Sequence, residues 1–277
     1  MESKFKSIYG MNNLDEIGRG DTIIHKINPL VKMIVTIIYL VVVLSFHKYS
    51  VSQLIPYVFY PVIIIVLGEI PPLMVLKRIL YVMPFIIILG ISNPIFDKTG
   101  WFMINGIIIS KGWLSFFSLV IKCILTVTAG IIFIGTTKVE DIALALRKIY
   151  IPKIMVTQII LTYRYISVLG EEVDRIKKAY SLRSPLKPRI SIKDLGSILG
   201  QMLLRSFDRA NRIYDAMLLR GFHGEYDFGT YNRLDLKSFL YFIGWIALFF
   251  ILRFLNLSQV IGNIFIWCLP AITLPPF

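Results

Sequence analysis

The sequence predicts an all-α, polytopic integral membrane protein with about five to six transmembrane helices and a cytoplasmic region of long amphipathic helices. Three observations carry that expectation. The 277 residues are 56% hydrophobic with a mean hydropathy of +0.71, more apolar than a soluble domain of this size tolerates. Five apolar runs approach the roughly 20 residues that cross a bilayer as helix. The net charge of +13 is unevenly spread: residues 136–225 hold sixteen of the thirty Lys and Arg and nine of the seventeen acids.

The elements follow in order. The apolar runs are Val31 to Phe46, Val51 to Gly68, Leu73 to Ile91, Trp113 to Gly135 and Ser238 to Leu252, with Val260 to Pro270 a weaker sixth. Basic residues crowd the first 32 positions, the turn bearing Lys77 and Arg78, and residues 136–225. The opposite loops carry only His47-Lys48 and then Asp97, Lys98 and Lys111. The positive-inside rule therefore sets the N-terminus and the 136–225 segment in the cytoplasm of a cell membrane. The start is polar up to residue 26 and has no signal-peptide pattern. Three parts result: 1–135 with a polar lead and transmembrane helices 1 to 4, 136–230 as the cytoplasmic coupling helices, and 231–277 back in the membrane.

The middle part reads as three helices. Thr137 with Glu140 has the pattern of a capping box opening a helix to about Tyr150. A second starts at Pro152, a favoured first-turn residue, and runs to Arg183. A third runs from Ser191 or Ile192 to Arg220, and Ser184-Pro185 and Gly221 stop the last two. In both, the first half is apolar and the second charged, so each is expected to leave the membrane boundary and end exposed. Asn93-Pro94 predicts a turn on the outer side.

These two helix ends repeat. Shifting Glu171–Ser184 by 37 positions onto Asp208–Gly221 superposes an acid, Arg175 on Arg212, Ile176 on Ile213, Ala179 on Ala216, Leu182 on Leu219 and Arg183 on Arg220. At about 3.6 residues per turn, Arg175, Ala179 and Arg183 share one helix face, as do Arg212, Ala216 and Arg220. A cation at a helix C-terminus is explained by the dipole alone, but the dipole does not require matching Ala, Leu and Ile at fixed offsets. Two guanidinium groups flanking an alanine suit a carboxylate- or carbonyl-lined groove, where the planar fork bonds bidentately.

Other chemistries lack their residues. There is no Gly-x-x-x-x-Gly-Lys-Ser/Thr phosphate loop, no His-Glu-x-x-His and no Gly-x-Ser-x-Gly. The interleaved acids and missing nucleic-acid signatures argue against nucleic acid as a partner. Cys123 and Cys268 lie in apolar stretches, and His25, His47 and His223 are far apart, so no metal site and no cofactor are expected. Glu140-Asp141 and Glu171-Glu172 are expected to cap or to pair at i,i+4. Lys122 within a span calls for a buried carbonyl partner, snorkelling or a function.

At this point the chain resembles a known family. Ala179-x-x-Leu182-Arg183-Ser184 and Ala216-x-x-Leu219-Arg220-Gly221 are similar to the paired Ala-Arg-Gly/Ser motifs of the energy-coupling factor transporter transmembrane (T) component, the CbiQ/EcfT family. Leucine directly before each arginine is most like the cobalt-type branch. Gly20-Asp21-x-x-x-His25-Lys26-x-Asn28-Pro29 with Lys32, Asn93-Pro94-x-Phe96-Asp97, Leu146 to Pro152 and Tyr163-Arg164-Tyr165 agree with it. Asn28 stands where that family commonly carries Asp. The resemblance implies a non-catalytic subunit that joins a substrate-binding membrane (S) subunit, metal-specific in this branch, to two cytoplasmic ABC-type ATPases. It implies that Ala179, Leu182, Arg183, Ser184, Ala216, Leu219, Arg220 and Gly221 meet the ATPases, supported by Arg175 and Arg212. Cobalt is the expected substrate, with nickel or a vitamin as alternatives. From other classes, a membrane-embedded lipid-modifying enzyme and a permease acting alone remain open.

Overall fold

Asn28 and Pro29 start the first membrane helix by local chemistry. In the computed structural model, which describes residues 18, 20–96, 100–104, 107–183, 190–224 and 235–254, α1 spans Pro29–Leu44. Asn28 Oδ1 accepts the Leu30 amide at 3.0 Å, and proline occupies the first turn, where no amide proton is missed. Asn caps a helix as well as Asp does, so asparagine at this position keeps the cap. The Asn28 amide also donates to Ser238 Oγ at 3.1 Å, tying α1 to the last described helix.

The stretch expected as one span from Val51 to Gly68 is three helical pieces: α2 (Val51–Leu54), a 3-10 turn (Ile55–Val58) and α3 (Phe59–Leu67). Pro56 lacks the amide that would continue an α-helix, which accounts for the tighter turn there. Helix α4 spans Pro72–Phe96 and encloses both Pro84 and Pro94. Asn93-Pro94 is thus helical, correcting the expected turn. Proline's fixed φ is compatible with a helix, and a membrane helix tolerates the carbonyl that its missing amide leaves free. A two-stranded antiparallel hairpin follows, β1 (Gly100–Ile104) with β2 (Ile107–Ser110), pairing Phe102 with Ile109 and Ile104 with Ile107. Then come α5 (Lys111–Thr136), α6 (Val139–Lys148), α7 (Lys153–Arg183), α8 (Ile192–Leu219) and α9 (Leu236–Phe254). Apart from that hairpin, the described elements are helical.

Among the described residues, three helices are long and apolar enough to span a membrane: Pro72–Ile95, Gly112–Thr136 and Leu236–Phe254. Two shorter apolar ones are Pro29–Leu44 and Val51–Leu67. Val260–Pro270 lies outside the described residues. The outward faces suit lipid: Leu73, Leu80, Tyr81 and Ile88 on α4 are 68–85% exposed. The chain is a membrane protein.

Two compact units form. One gathers Asn13–Lys138 with Asn232–Phe277, the other Val139–Tyr231. The first is centred on an aromatic cluster drawn from α1, the 3-10 turn, α3 and α9. Tyr39 meets Tyr60 at 4.5 Å and Phe249 at 5.5 Å between ring centres, and Trp245 stands edge-on to Tyr60 at 4.7 Å. Their hydroxyls are satisfied: Tyr39 donates to Tyr57 O at 3.0 Å and Tyr57 to Phe249 O at 3.2 Å.

Two lysines lock α1 against α5. Buried Lys32 of α1 donates to the carbonyl of Thr136, the last residue of α5, at 2.7 Å. Lys122 of α5 donates to the carbonyl of Phe46, just beyond the end of α1. Each ammonium thus sits on the electronegative end of the partner helix. Lys122 therefore has the buried-carbonyl partner that intramembrane charge demands. Arg253 adds to that end, 3.2 Å from Ser45 Oγ and with its guanidinium 4.2 Å from the Phe46 ring centre.

In the second unit, Ala143 of α6 packs with Val156 and Ile160 of α7, with Ile151 against them, and Ala145 is buried as well. Helix α6 begins at Val139, two residues past Thr137, and the buried Thr137 hydroxyl has no hydrogen-bond partner among the described residues. The expected capping box does not form, because Thr137 stands one position before the cap and cannot reach the first-turn amides.

Candidate functional site

Among the described residues both repeated helix ends are exposed. Helix α7 ends at Arg183 itself, with Ala179 and Arg183 exposed and Leu182 83% exposed. Ser184 lies outside the described residues. Helix α8 ends at Leu219, which is 90% exposed, with Arg220 as its cap residue and Ala216 exposed one turn earlier. Gly221 has φ +81°, the left-handed turn that glycine adopts without strain. Its amide donates to Leu218 O at 2.9 Å and the Phe222 amide to Met217 O at 3.0 Å, the two bonds of a Schellman ending. Arg220 is thereby fixed at the rim of the helix end.

Among the described residues neither Arg183 nor Arg220 makes an ion pair. Arg212 is likewise exposed and unpaired among them, whereas Arg175 pairs with Glu171 at 3.5 Å. That pair is exposed on both sides, so it contributes little and does not withdraw Arg175 from a partner.

The two helices run antiparallel. Tyr180, near the end of α7, donates to Asp194 Oδ2 at the start of α8 at 2.7 Å. At mid-length Glu172 of α7 receives Arg209 at 2.9 Å and Arg205 at 3.5 Å from α8. Beyond that crossing the helices part, and the start of α7 and the end of α8 line a groove of about 1070 Å³. Its walls are mostly apolar, including Leu161, Ile166, Ile213, Met217 and Phe222, with Thr157 and Gln158 among the polar groups. The arginine ends thus point away from each other, not side by side as two helices leaving one boundary together would.

Sequence reasoning missed both the role of Glu172 and the groove. Glu171 does make the expected i,i+4 pair, but its neighbour reaches across to another helix. The Tyr180 hydroxyl is held above the usual phenol range, chiefly by its bond to the Asp194 carboxylate. Among the described residues no group of three His, Cys, Asp or Glu is placed to hold a metal ion. His25 is engaged locally, its Nδ1 2.6 Å from Thr22 Oγ1.

Comparison with known proteins makes the class explicit. The family model described as cobalt transport protein, CbiQ, matches residues 20–230, and the chain belongs to that family. It is 25% identical over 276 residues to the energy-coupling factor transporter transmembrane protein EcfT of Leuconostoc gelidum subsp. gasicomitatum, covering 88% of this chain and 98% of that one. It is 26% identical to the protein of the same name from Ruminiclostridium cellulolyticum, covering 74% of this chain and 81% of that one. A shorter match, 26% identical over 105 residues and 38% of either chain, is to the nickel permease LarQ of Lactiplantibacillus plantarum. The chain is a transporter component and not an enzyme.

Proposed function

We propose that this chain is the transmembrane coupling subunit of an ATP-driven importer of the energy-coupling factor type, within the ABC superfamily. In this reading residues 1–135 and 231–277 lie in the cell membrane as multiple spans. Residues 136–230 are the coupling helices on the cytoplasmic side, where the basic excess orients them. Two ABC-type ATPase subunits take one helix end each, Arg183 with Leu182, Ala179 and Ser184, and Arg220 with Leu219, Ala216 and Gly221. Arg175 and Arg212 line the same faces. A substrate-binding membrane subunit rides on the membrane unit, and the lipid bilayer surrounds both.

The observation that carries this reading is the twinned helix end: an arginine without an ion pair among the described residues, next to a leucine left 83% or 90% exposed, at two positions 37 residues apart. Exposed leucine at a helix tip is an apolar contact awaiting a partner, and the adjacent guanidinium supplies charge-assisted hydrogen bonds. Antiparallel placement offers the two ends to two separate sockets. A stiff helix then transmits the approach or separation of the sockets toward the crossing.

The substrate is cobalt in the first instance, on the family's description; the LarQ similarity favours nickel as the alternative. The test is co-expression with the ATPases and membrane subunit encoded beside it. Arg183→Ala with Arg220→Ala should abolish ATPase co-purification and ATP-dependent metal uptake. Uptake and co-purification at the unsubstituted level would overturn the reading. Uptake of labelled cobalt against nickel decides the substrate.

A further inference from the structure

We infer that Glu172 and Arg209 form the pivot of a pseudo-two-fold pair of helices, and that this pivot sets the angle at which the two arginine ends are presented. The inference rests on the proposed coupling function and names the residues that hold its geometry.

The repeat itself locates the axis. Residues i and i+37 are equivalent in the two copies, and α7 and α8 run antiparallel. When two copies are related by a two-fold rotation, a residue touches its own equivalent only where the axis passes. Glu172 and Arg209 are 37 apart in sequence and 2.9 Å apart in space. Each arginine end lies eleven residues beyond its pivot residue, Arg183 past Glu172 and Arg220 past Arg209. At about 1.5 Å per residue, the two ends stand on the order of 30 Å apart, balanced about the crossing.

A two-fold contact must also be reciprocal, so that a contact between i and j recurs between their equivalents. The equivalents of Tyr180 and Asp194 are Met217 and Thr157, and both of these line the same groove. On one wing the pair is closed by a hydrogen bond of 2.7 Å, while the other wing is open as the groove. The symmetry is therefore broken in one respect, and one wing has room to close.

The pivot is also where the copies have to differ. Arg, Ile, Ala, Leu and Arg are retained on the way to the tips. On the axis, two glutamates or two arginines would face their own charge, and the sequence carries Glu172 against Arg209 instead. The pair is shielded as well: Glu172 is 16% and Arg209 34% exposed, against 71% and 78% for the Glu171–Arg175 pair. Arg205 and Arg209 stand one turn apart on α8, so one carboxylate is shared between two donors. As the helices rock, Glu172 trades one guanidinium for the other without being left uncompensated. The Arg209 Nη1 group, buried and unpartnered among the described residues, is a donor held in reserve.

The experiment uses the assembled complex in proteoliposomes, reading ATPase co-purification, ATP hydrolysis and metal uptake for Glu172→Arg, Arg209→Glu and the double exchange. Glu172→Gln serves as the shape-preserving variant. Each single change should leave the ATPases bound and lower metal moved per ATP by about tenfold. The exchange should restore it to within about twofold. A structural defect alone would not be rescued by exchange, so equal loss in singles and exchange overturns the inference, as does normal coupling in the singles. If the unsubstituted chain binds no ATPase, the coupling function fails instead. The pivot is then read in the purified chain by spin labels at Ala179→Cys and Ala216→Cys, with Cys123 and Cys268 replaced by alanine. A distance distribution narrow in the parent, broad in each single variant and narrow again in the exchange supports the pivot; one distribution for all four overturns it.

Discussion

Leu219→Ala and Leu182→Ala probe the twinned ends without touching their charge. Leu219 is 90% and Leu182 83% exposed, so neither holds the fold, and each substitution should change stability by less than about 0.5 kcal/mol. In a partner's socket the same side chains would be buried. Burying a leucine contributes about 1.5–3 kcal/mol, of which alanine keeps only the small share due to its Cβ. A loss of about 1–2 kcal/mol per tip follows, which weakens the dissociation constant roughly 5- to 30-fold. The two ends are far enough apart for their effects to add. The assay is titration of the purified ATPases onto the nanodisc-embedded chain, with thermal unfolding of the chain alone as control. Unchanged affinity in the double variant would refute the argument that these leucines are contact surface. A matching fall in unfolding temperature would refute it too, by making them part of the fold.

Other outcomes are expected elsewhere. Lys32→Met and Lys122→Met keep the length of the side chain but leave the Thr136 and Phe46 carbonyls without their ammonium donors. Each should cost about 1–3 kcal/mol in detergent unfolding, and unaltered unfolding in both would remove the clamp from the account. Gly221→Ala forces a left-handed φ of +81° on a residue with a Cβ. It should cost about 1–2 kcal/mol locally, seen as faster exchange of the amides at position 221 and Phe222 than in the parent. The Tyr180 hydroxyl, raised mainly by its bond to Asp194, should ionise later than the usual phenol near pH ~10. Its folded pKa is raised, so the bond is fully present below the unfolded value and lost as pH rises through the folded one. Ultraviolet titration of Asp194→Ala against the parent should show one tyrosine moving down; identical curves would contradict the assignment.

The long helices were legible because their stops are chemical. Proline after Arg183 and glycine after Arg220 end them wherever they fold, and the structure ends them at Arg183 and Leu219. The Asn28-Pro29 start was legible as a motif, but its use as a cap was not. Hydropathy alone could not divide Val51–Gly68, because its interruption comes from one missing amide at Pro56 and not from any change in polarity. Pro94 erred the other way, since a proline signal does not distinguish a turn from the last turn of a membrane helix. The hairpin was there to be read: Asn105-Gly106 between two apolar, β-prone runs is the strongest short-range hairpin signal. Partners across long separations were beyond reach. Nothing local in Glu172 says that it answers α8 while Glu171 answers its own helix.

That contrast between neighbours bears on how the two units differ mechanically. In the membrane unit, the ends of α1 and α5 are each closed by a lysine from the other, and the tyrosine hydroxyls are spent inside the aromatic cluster. Sliding α1 along α5 would release both clamps together, so the pair resists motion along its length. In the second unit α7 and α8 are joined by a hydrogen bond near one end and a shared carboxylate at the middle, with an open groove beyond. Ion pairs are tolerant of angle where interlocked side chains are not, because a carboxylate accepts from several directions. An angle set by Glu172 can therefore change at modest cost while both helices stay whole. In the proposed coupling role, this is the property required of an element that would be moved at its ends and deliver the motion elsewhere.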